Sequence, residues 1–172
     1  MKKLGVFICH CGVNIAGTVD VKSVAEKIGR VKDVAHSTEY IYMCSEPGQQ
    51  IIREAVREKD LGGVVVACCS PNMHENTFRK AVKSQGMNPY LCEIANIREQ
   101  CSWVHQKEKG QATRKAEEII RATLEKVRRN ESLEAIPVAF FEVVLCGVIV
   151  LIAPPLSISP GMIGSYLAPW SI

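Results

Sequence analysis

The chain is 172 residues long, with 21 Lys and Arg against 18 Asp and Glu and a formal net charge of +3. Hydrophobic residues at 47% and charged residues at 23% exclude a disordered or collagen-like chain, and a small positive excess without a dense basic stripe excludes nucleic acid as an expected partner. That length buries one ordinary core, yet charge is unevenly spread: every charged residue lies between Lys2 and Glu142, and the last 30 positions carry none.

Residues 4–8 read as a buried strand. Asp20 can cap a helix whose apolar positions Val21, Val24, Ala25 and Ile28 recur at the spacing of one helical face. Residues 39–43 carry the next strand pattern, and Ser45 offers an N-cap with Pro47 in the first turn, followed by Ile51, Ile52, Ala55 and Val56. The continuous apolar run 63–67 is what a parallel sheet covered on both faces demands. A helix over 75–83 follows, with Phe78, Ala81 and Val82 inward; residues 89–94 suit a fourth strand, Asn96 can cap a short helix, and a long charged helix spans about 107–129. In that last helix Ile119, Ile120, Leu124 and Val127 form an apolar stripe, which predicts packing on the sheet.

Strands and helices alternating at this spacing predict an α/β fold: an open, mostly parallel sheet with flanking helices, Rossmann-like in outline. In such a sheet all strands point one way, so their carboxyl ends share one rim, where open α/β folds bind ligands. Cys9 and Cys11 follow strand one, Cys44 strand two, Cys68 and Cys69 strand three, and Cys101 the connection after strand four. Segments far apart in sequence therefore bring thiols to one rim.

The sequence has eight cysteines and, with only residues 4–8 apolar after Met1-Lys2-Lys3, no expected signal peptide, so the expected compartment is the reducing cytoplasm. There, grouped thiols bind metal or do redox chemistry more often than they form structural disulfides. Four thiolates suit a [4Fe–4S] cluster or a tetrahedral zinc, although neither C-x2-C pairs nor a ferredoxin run is present. A third reading is a thiol–disulfide protein using Cys9 with Cys11 or Cys68 with Cys69.

A family resemblance narrows these readings. Residues 7–12 (FICHCG) with 14–17 (NIAG), 42–45 (YMCS) with 47–49 (PGQ), 69–71 (CSP) with 73–75 (MHE), and 88–90 (NPY) through 95–105 (ANIREQCSWVH) resemble, in order, the A subunit of heterodisulfide reductase. The resemblance covers about residues 1–137. It implies an N-terminal iron–sulfur domain of a cytoplasmic oxidoreductase of methanogenesis, relaying electrons through a [4Fe–4S] cluster. The partners it implies are the B and C subunits and a hydrogenase or other electron donor. The shared cysteines it implies are Cys9, Cys11, Cys44, Cys69 and Cys101, five candidates for four places. Cys11 is preferred to Cys9 because it lies further into the loop beside Gly12, which leaves Cys11, Cys44, Cys69 and Cys101 as the expected ligands. Cys92 and Cys68 stand where relatives carry apolar or small residues.

FAD belongs to the full-length family, but no G-x-G-x-x-G occurs in this chain, so its site is expected to be absent. His10, His74, His105 and Trp103 read as structural neighbours of the rim, and Arg98 and Glu99 as a pair or a solvent-facing couple. Residues 138–156 approach the length of a membrane span with one charge, Glu142, but Pro154-Pro155 interrupts it and no anchor follows, so a membrane is not expected. Residues 138–172, where the resemblance stops, are expected to be a truncated or out-of-frame end, and the preceding domain alone is expected to lack reductase activity.

Overall fold

Successive residues of a strand face opposite sides, and here the two sides feed two apolar layers. In the computed structural model, which describes residues 2–134, 136, 141–145 and 148–152 (the last two stretches as backbone only), Leu4, Val6 and Ile8 of β1 (Leu4–Cys9) enter one layer and Phe7 and Cys9 the other. In β3 (Gly63–Cys68), Val65 and Ala67 join the first layer, and Val64, Val66 and Cys68 the second. Both strands are buried along their whole length, as their uninterrupted apolar sequences require.

The first layer is closed by α1 (Val13–Ala16), α2 (Val21–Gly29) and α5 (Lys109–Arg129); the second by α3 (Glu46–Glu58) and α4 (Pro71–Lys83). With β2 (Val34–Tyr40) and β4 (Cys92–Asn96), the strands form a four-stranded parallel sheet in the order β2-β1-β3-β4. The expected α/β architecture is therefore present, with helices on both faces. Caps fix the helix starts: Asp20 accepts from the Ser23 N–H at 3.0 Å, and Ser45 from the Gly48 N–H at 3.4 Å.

Three elements differ from the sequence expectation. The second strand is Val34–Tyr40, not residues 39–43; as an edge strand, only partly covered, it carries His36, Ser37, Thr38 and Glu39, and the more apolar stretch after it is a turn over the rim. Helix α4 begins at Pro71, one turn early, because the Ser70 side chain caps it by accepting from the Asn72 N–H. Pro89–Leu91 is a short 3-10 turn started by Asn88, so the fourth strand begins at Cys92.

The compact unit so formed covers residues 1–133, and a second unit follows from Glu134. Of that second unit, β5 (Phe141–Leu145) and β6 (Val148–Ile152) pair antiparallel. The expected boundary at 137–138 and the rest of the uncharged tail lie outside the described residues. Among the described residues no helix is long and apolar enough to cross a membrane.

Candidate metal centre

The chain leaves β1 towards β2 on one side, and later enters β3 on the other side of β1. The helices after β1 and β2 lie on opposite faces, so the carboxyl ends of β1 and β3 flank the crevice where open α/β sheets place ligands. Cys9 and Cys11 stand at one lip, Cys68 and Cys69 at the other, and the turn carrying Cys44 closes the side above β2.

Backbone conformation aims the first loop. Cys11 and Gly12 both have left-handed backbone, φ 50° and 60°, which turns the chain sharply so that the Cys11 N–H donates back to Cys9 Sγ at 3.3 Å. A Cβ at Gly12 would sit 2.8 Å from Tyr42 Oη, so the position needs glycine on two counts. The Met43 N–H donates to the same Cys9 sulfur at 3.4 Å, and the Cys9 thiol reaches the Ile41 carbonyl at 3.8 Å. Gly48 lets α3 approach the second loop: a Cβ there would stand 2.4 Å from the Tyr42 carbonyl oxygen. Gln49 Nε2 donates to the Cys44 carbonyl at 2.9 Å.

Arg98 joins the loops. Its guanidinium donates to Cys11 Sγ at 3.2 Å and Met73 Sδ at 3.0 Å, pairs with Glu99 at 2.7 Å, and lies 4.9 Å from the Trp103 ring centroid. Arg98 and Glu99, expected to pair or to face solvent, do pair, and the arginine also binds a candidate thiol. The signal available in the sequence was its position, two residues past the end of β4 on the same rim.

The thiols share an electrostatic neighbourhood. Burial pushes Cys9 up to about 11, against the backbone N–H groups of Met43 and Cys11, and Cys11 and Cys44 add to the rise. Cys44 is also raised, first by burial and then by Cys69 and Cys11, while Arg98 pulls it down. Cys69 moves the other way, to about 7: a hydrogen bond from the Cys68 thiol favours its thiolate, burial opposes this, and Arg98 assists. Cys68 itself is buried at the end of β3 and raised, its thiol 3.5 Å from the Cys69 carbonyl.

Cys101 is placed differently. A single wide helical turn, Arg98–Ser102, points it into the layer beneath α5, fully buried, with its thiol on the Ala112 carbonyl at 3.1 Å. The thiols acting on Cys9 are Cys11 and Cys44, and those acting on Cys44 are Cys69 and Cys11. Cys9, Cys11, Cys44 and Cys69 thus feel one another's charge, whereas Cys101 bonds to Ala112 in the other layer. Among the described residues no three Cys, His, Asp or Glu side chains converge closely enough to share a single ion. The histidines have local partners: His10 pairs with Glu39, His74 packs edge-on to Phe78, and His105 lies 3.8 Å from Glu108.

No family model matches the chain. Individual curated relatives do. It is 53% identical over 136 residues to an iron–sulfur A subunit of CoB–CoM heterodisulfide reductase from Methanopyrus kandleri, covering 79% of this chain and 21% of that protein. It is 47% identical over 133 residues to the A subunit of the H2:CoB–CoM heterodisulfide, ferredoxin reductase of Methanothermobacter marburgensis, covering 77% and 20%. The A subunit of a ferredoxin:CoB–CoM heterodisulfide reductase of Methanosarcina mazei is 44% identical over 133 residues, covering 77% and 17%. The expected resemblance to the A subunit of heterodisulfide reductase is therefore present, and the chain spans about a fifth of the length of the relatives it matches.

Proposed function

We propose that this chain holds one [4Fe–4S] cluster at the carboxyl rim of its sheet and relays single electrons within a cytoplasmic complex of the heterodisulfide reductase type. The observation that carries the reading is that Arg98, after β4, donates to Cys11 Sγ on the first rim loop and lies close enough to Cys44 and Cys69, on two others, to favour their thiolates. We assign three ligand places to these three cysteines and the fourth to Cys9. Cys101, one of the five shared cysteines and expected from the sequence as the fourth ligand, is bonded to Ala112 in the opposite layer and would have to turn out of it.

The chemistry of the donor set fits a cluster. Thiolate ligands bring negative charge that surrounding donors must offset. Arg98 supplies a cation to Cys11, and the N–H groups of Cys11 and Met43 supply two dipoles to Cys9. When bound, the cluster would supply a one-electron centre whose potential depends on such hydrogen bonds and on solvent access. The protein's own part is to hold the sulfurs, fix the Arg98 guanidinium between Met73 and Trp103, and fix the loops through Gly12 and Gly48. Reduction of heterodisulfide belongs to the larger assembly, with the B and C subunits and a hydrogenase or other electron donor.

Anaerobic purification with iron and acid-labile sulfide determination tests the reading. Iron and sulfide in equal amounts are expected, with visible absorbance that disappears in Cys44→Ala and Cys9→Ser and persists in Cys101→Ser. Zinc in a colourless protein, or an undiminished spectrum in Cys44→Ala, overturns the cluster; loss in Cys101→Ser but not in Cys9→Ser overturns the choice of fourth ligand.

A further inference from the structure

A hydroxyl taken out of bulk water needs a partner. Among the described residues two polar side chains are buried, Ser102 and Thr18. Ser102 donates to the Arg98 carbonyl at 3.2 Å. Thr18, only 9% exposed, makes no hydrogen bond among the described residues, yet its hydroxyl is not sealed in. It lines a groove of about 700 Å³ between α2 and α5, a volume within the range of small-molecule sites.

Helix α5 meets the same groove with an unfinished end. Its 21 residues begin without a side-chain cap and without an acidic residue in the first turn. Glu108, at the cap position, faces His105 instead, at 3.8 Å. The Glu108 carbonyl accepts from the N–H groups of Gln111 and Ala112, and those of Lys109 and Gly110 are left without a partner among the described residues. Such free N–H groups carry the positive end of the helix dipole. Gly110 leaves them open to the groove: a Cβ there would meet nothing nearer than Arg114 Nη1 at 3.9 Å, so packing does not account for a residue that weakens helices.

Charge in the groove favours an anion. Lys109 and Arg114 are exposed and make no ion pair among the described residues. The other charged groups on its walls are engaged: Asp20 accepts from the Ser23 N–H, and Lys27 is held by Glu117 at 2.6 Å. The walls are tied together, because the Asp20 N–H donates to Thr113 Oγ1 at 3.1 Å and the Thr113 hydroxyl donates to the Lys109 carbonyl at 2.8 Å. Two free cations therefore outweigh one carboxylate in a groove of fixed shape.

We infer that this groove binds a phosphate monoester. The phosphate accepts from the N–H groups of Lys109 and Gly110 and from the Thr18 hydroxyl, pairs with Lys109 and Arg114, and leaves its organic part along Ala16 and Val19. Donors without acceptors, spread over a helix start, two cations and a hydroxyl, match the several oxygens of a phosphate. Binding is reversible, and no bond forms or breaks. The site is separate from the proposed cluster, since no thiol lines the groove.

Inorganic phosphate and adenosine monophosphate are the probes, and adenosine the control, on the full chain in physiological salt. In a nitrogen-labelled sample the amide resonances of Lys109 and Gly110 should shift saturably with either phosphate, with a dissociation constant on the order of 1 mM for inorganic phosphate, and stay still with adenosine. Lys109→Ala/Arg114→Ala should weaken binding of the nucleotide about tenfold. Thr18→Val, which keeps the shape of the side chain, should weaken it about fivefold. Lys22→Ala, exposed on α2 outside the groove, should leave the affinity unchanged. The shifts are read on the unaltered chain, so they decide the matter even where a variant folds poorly. Resonances of Lys109 and Gly110 that respond to neither phosphate, equal shifts with adenosine, or undiminished affinity in both groove variants overturn the site.

Discussion

Replacing Cys68 by alanine in the metal-free chain should make Cys69 less reactive at neutral pH, although Cys68 is itself almost inaccessible. The largest influence lowering Cys69 to about 7 is the hydrogen bond from the neighbouring thiol; without it Cys69 returns towards its ordinary 9.0. At pH 7 the thiolate fraction then falls from about one half to about one hundredth, ~50-fold. A more basic thiolate is a better nucleophile, and with a Brønsted slope of about 0.45 a two-unit rise recovers ~8-fold. The net expectation is a ~6-fold slower alkylation by iodoacetamide at pH 7, shrinking to nothing near pH ~8 and reversing above it as the variant's thiolate fraction rises. Cys68→Ser keeps a donor and should stay near wild type. Peptide mapping of the rate at Cys69 from pH 6 to 10 is the assay. Identical profiles for wild type and Cys68→Ala, or a serine variant as slow as the alanine one, would refute the hydrogen bond as the cause.

Alkaline stability should report Cys92, which burial pushes up to about 12 in the folded chain from 9.0. A raised folded pKa favours the protonated fold, so its contribution is complete below about pH 9 and is lost as pH rises through 12. Between pH 8 and 10.5 the loss from this group is about 2 kcal/mol, read as a drop in the urea midpoint that Cys92→Ala should flatten. Gly48→Ala should cost about 1–3 kcal/mol by the same measurement, because the new Cβ meets the backbone of Tyr42 and Met43 at 2.4–2.7 Å, and it should also reduce iron content by displacing the Cys44 turn. An unchanged midpoint would mean that α3 packs less closely on that turn.

What the sequence made legible was what local pattern decides. The apolar run of β3 and the caps Asp20 and Ser45 are near-neighbour signals, and the parallel topology they imply was enough to gather thiols on one rim. Edge strand β2 was displaced because strand propensity favours Ile41 and Tyr42, whereas a half-covered strand tolerates His36 and Glu39. The earlier start of α4 was present in Ser70-Pro71, a cap followed by a first-turn proline. The role of Arg98 was not legible, since its bond to Cys11 joins residues 87 positions apart. Nor was the direction of Cys101, which depends on one wide turn rather than on residue type.

Helix α5 begins beside the rim, where Thr113 meets Asp20, and ends beside the amino ends of the strands, where Lys2 Nζ donates to the Val127 carbonyl. Its 21 residues put those ends about 32 Å apart. The helix therefore acts as a spacer between the rim and the opposite edge of the sheet. The backbone leaves α5 at Asn130, at the end of the helix away from the thiol loops. Covalent continuation and thiol rim thus occupy opposite ends of one helix, so a change made at either leaves the other untouched.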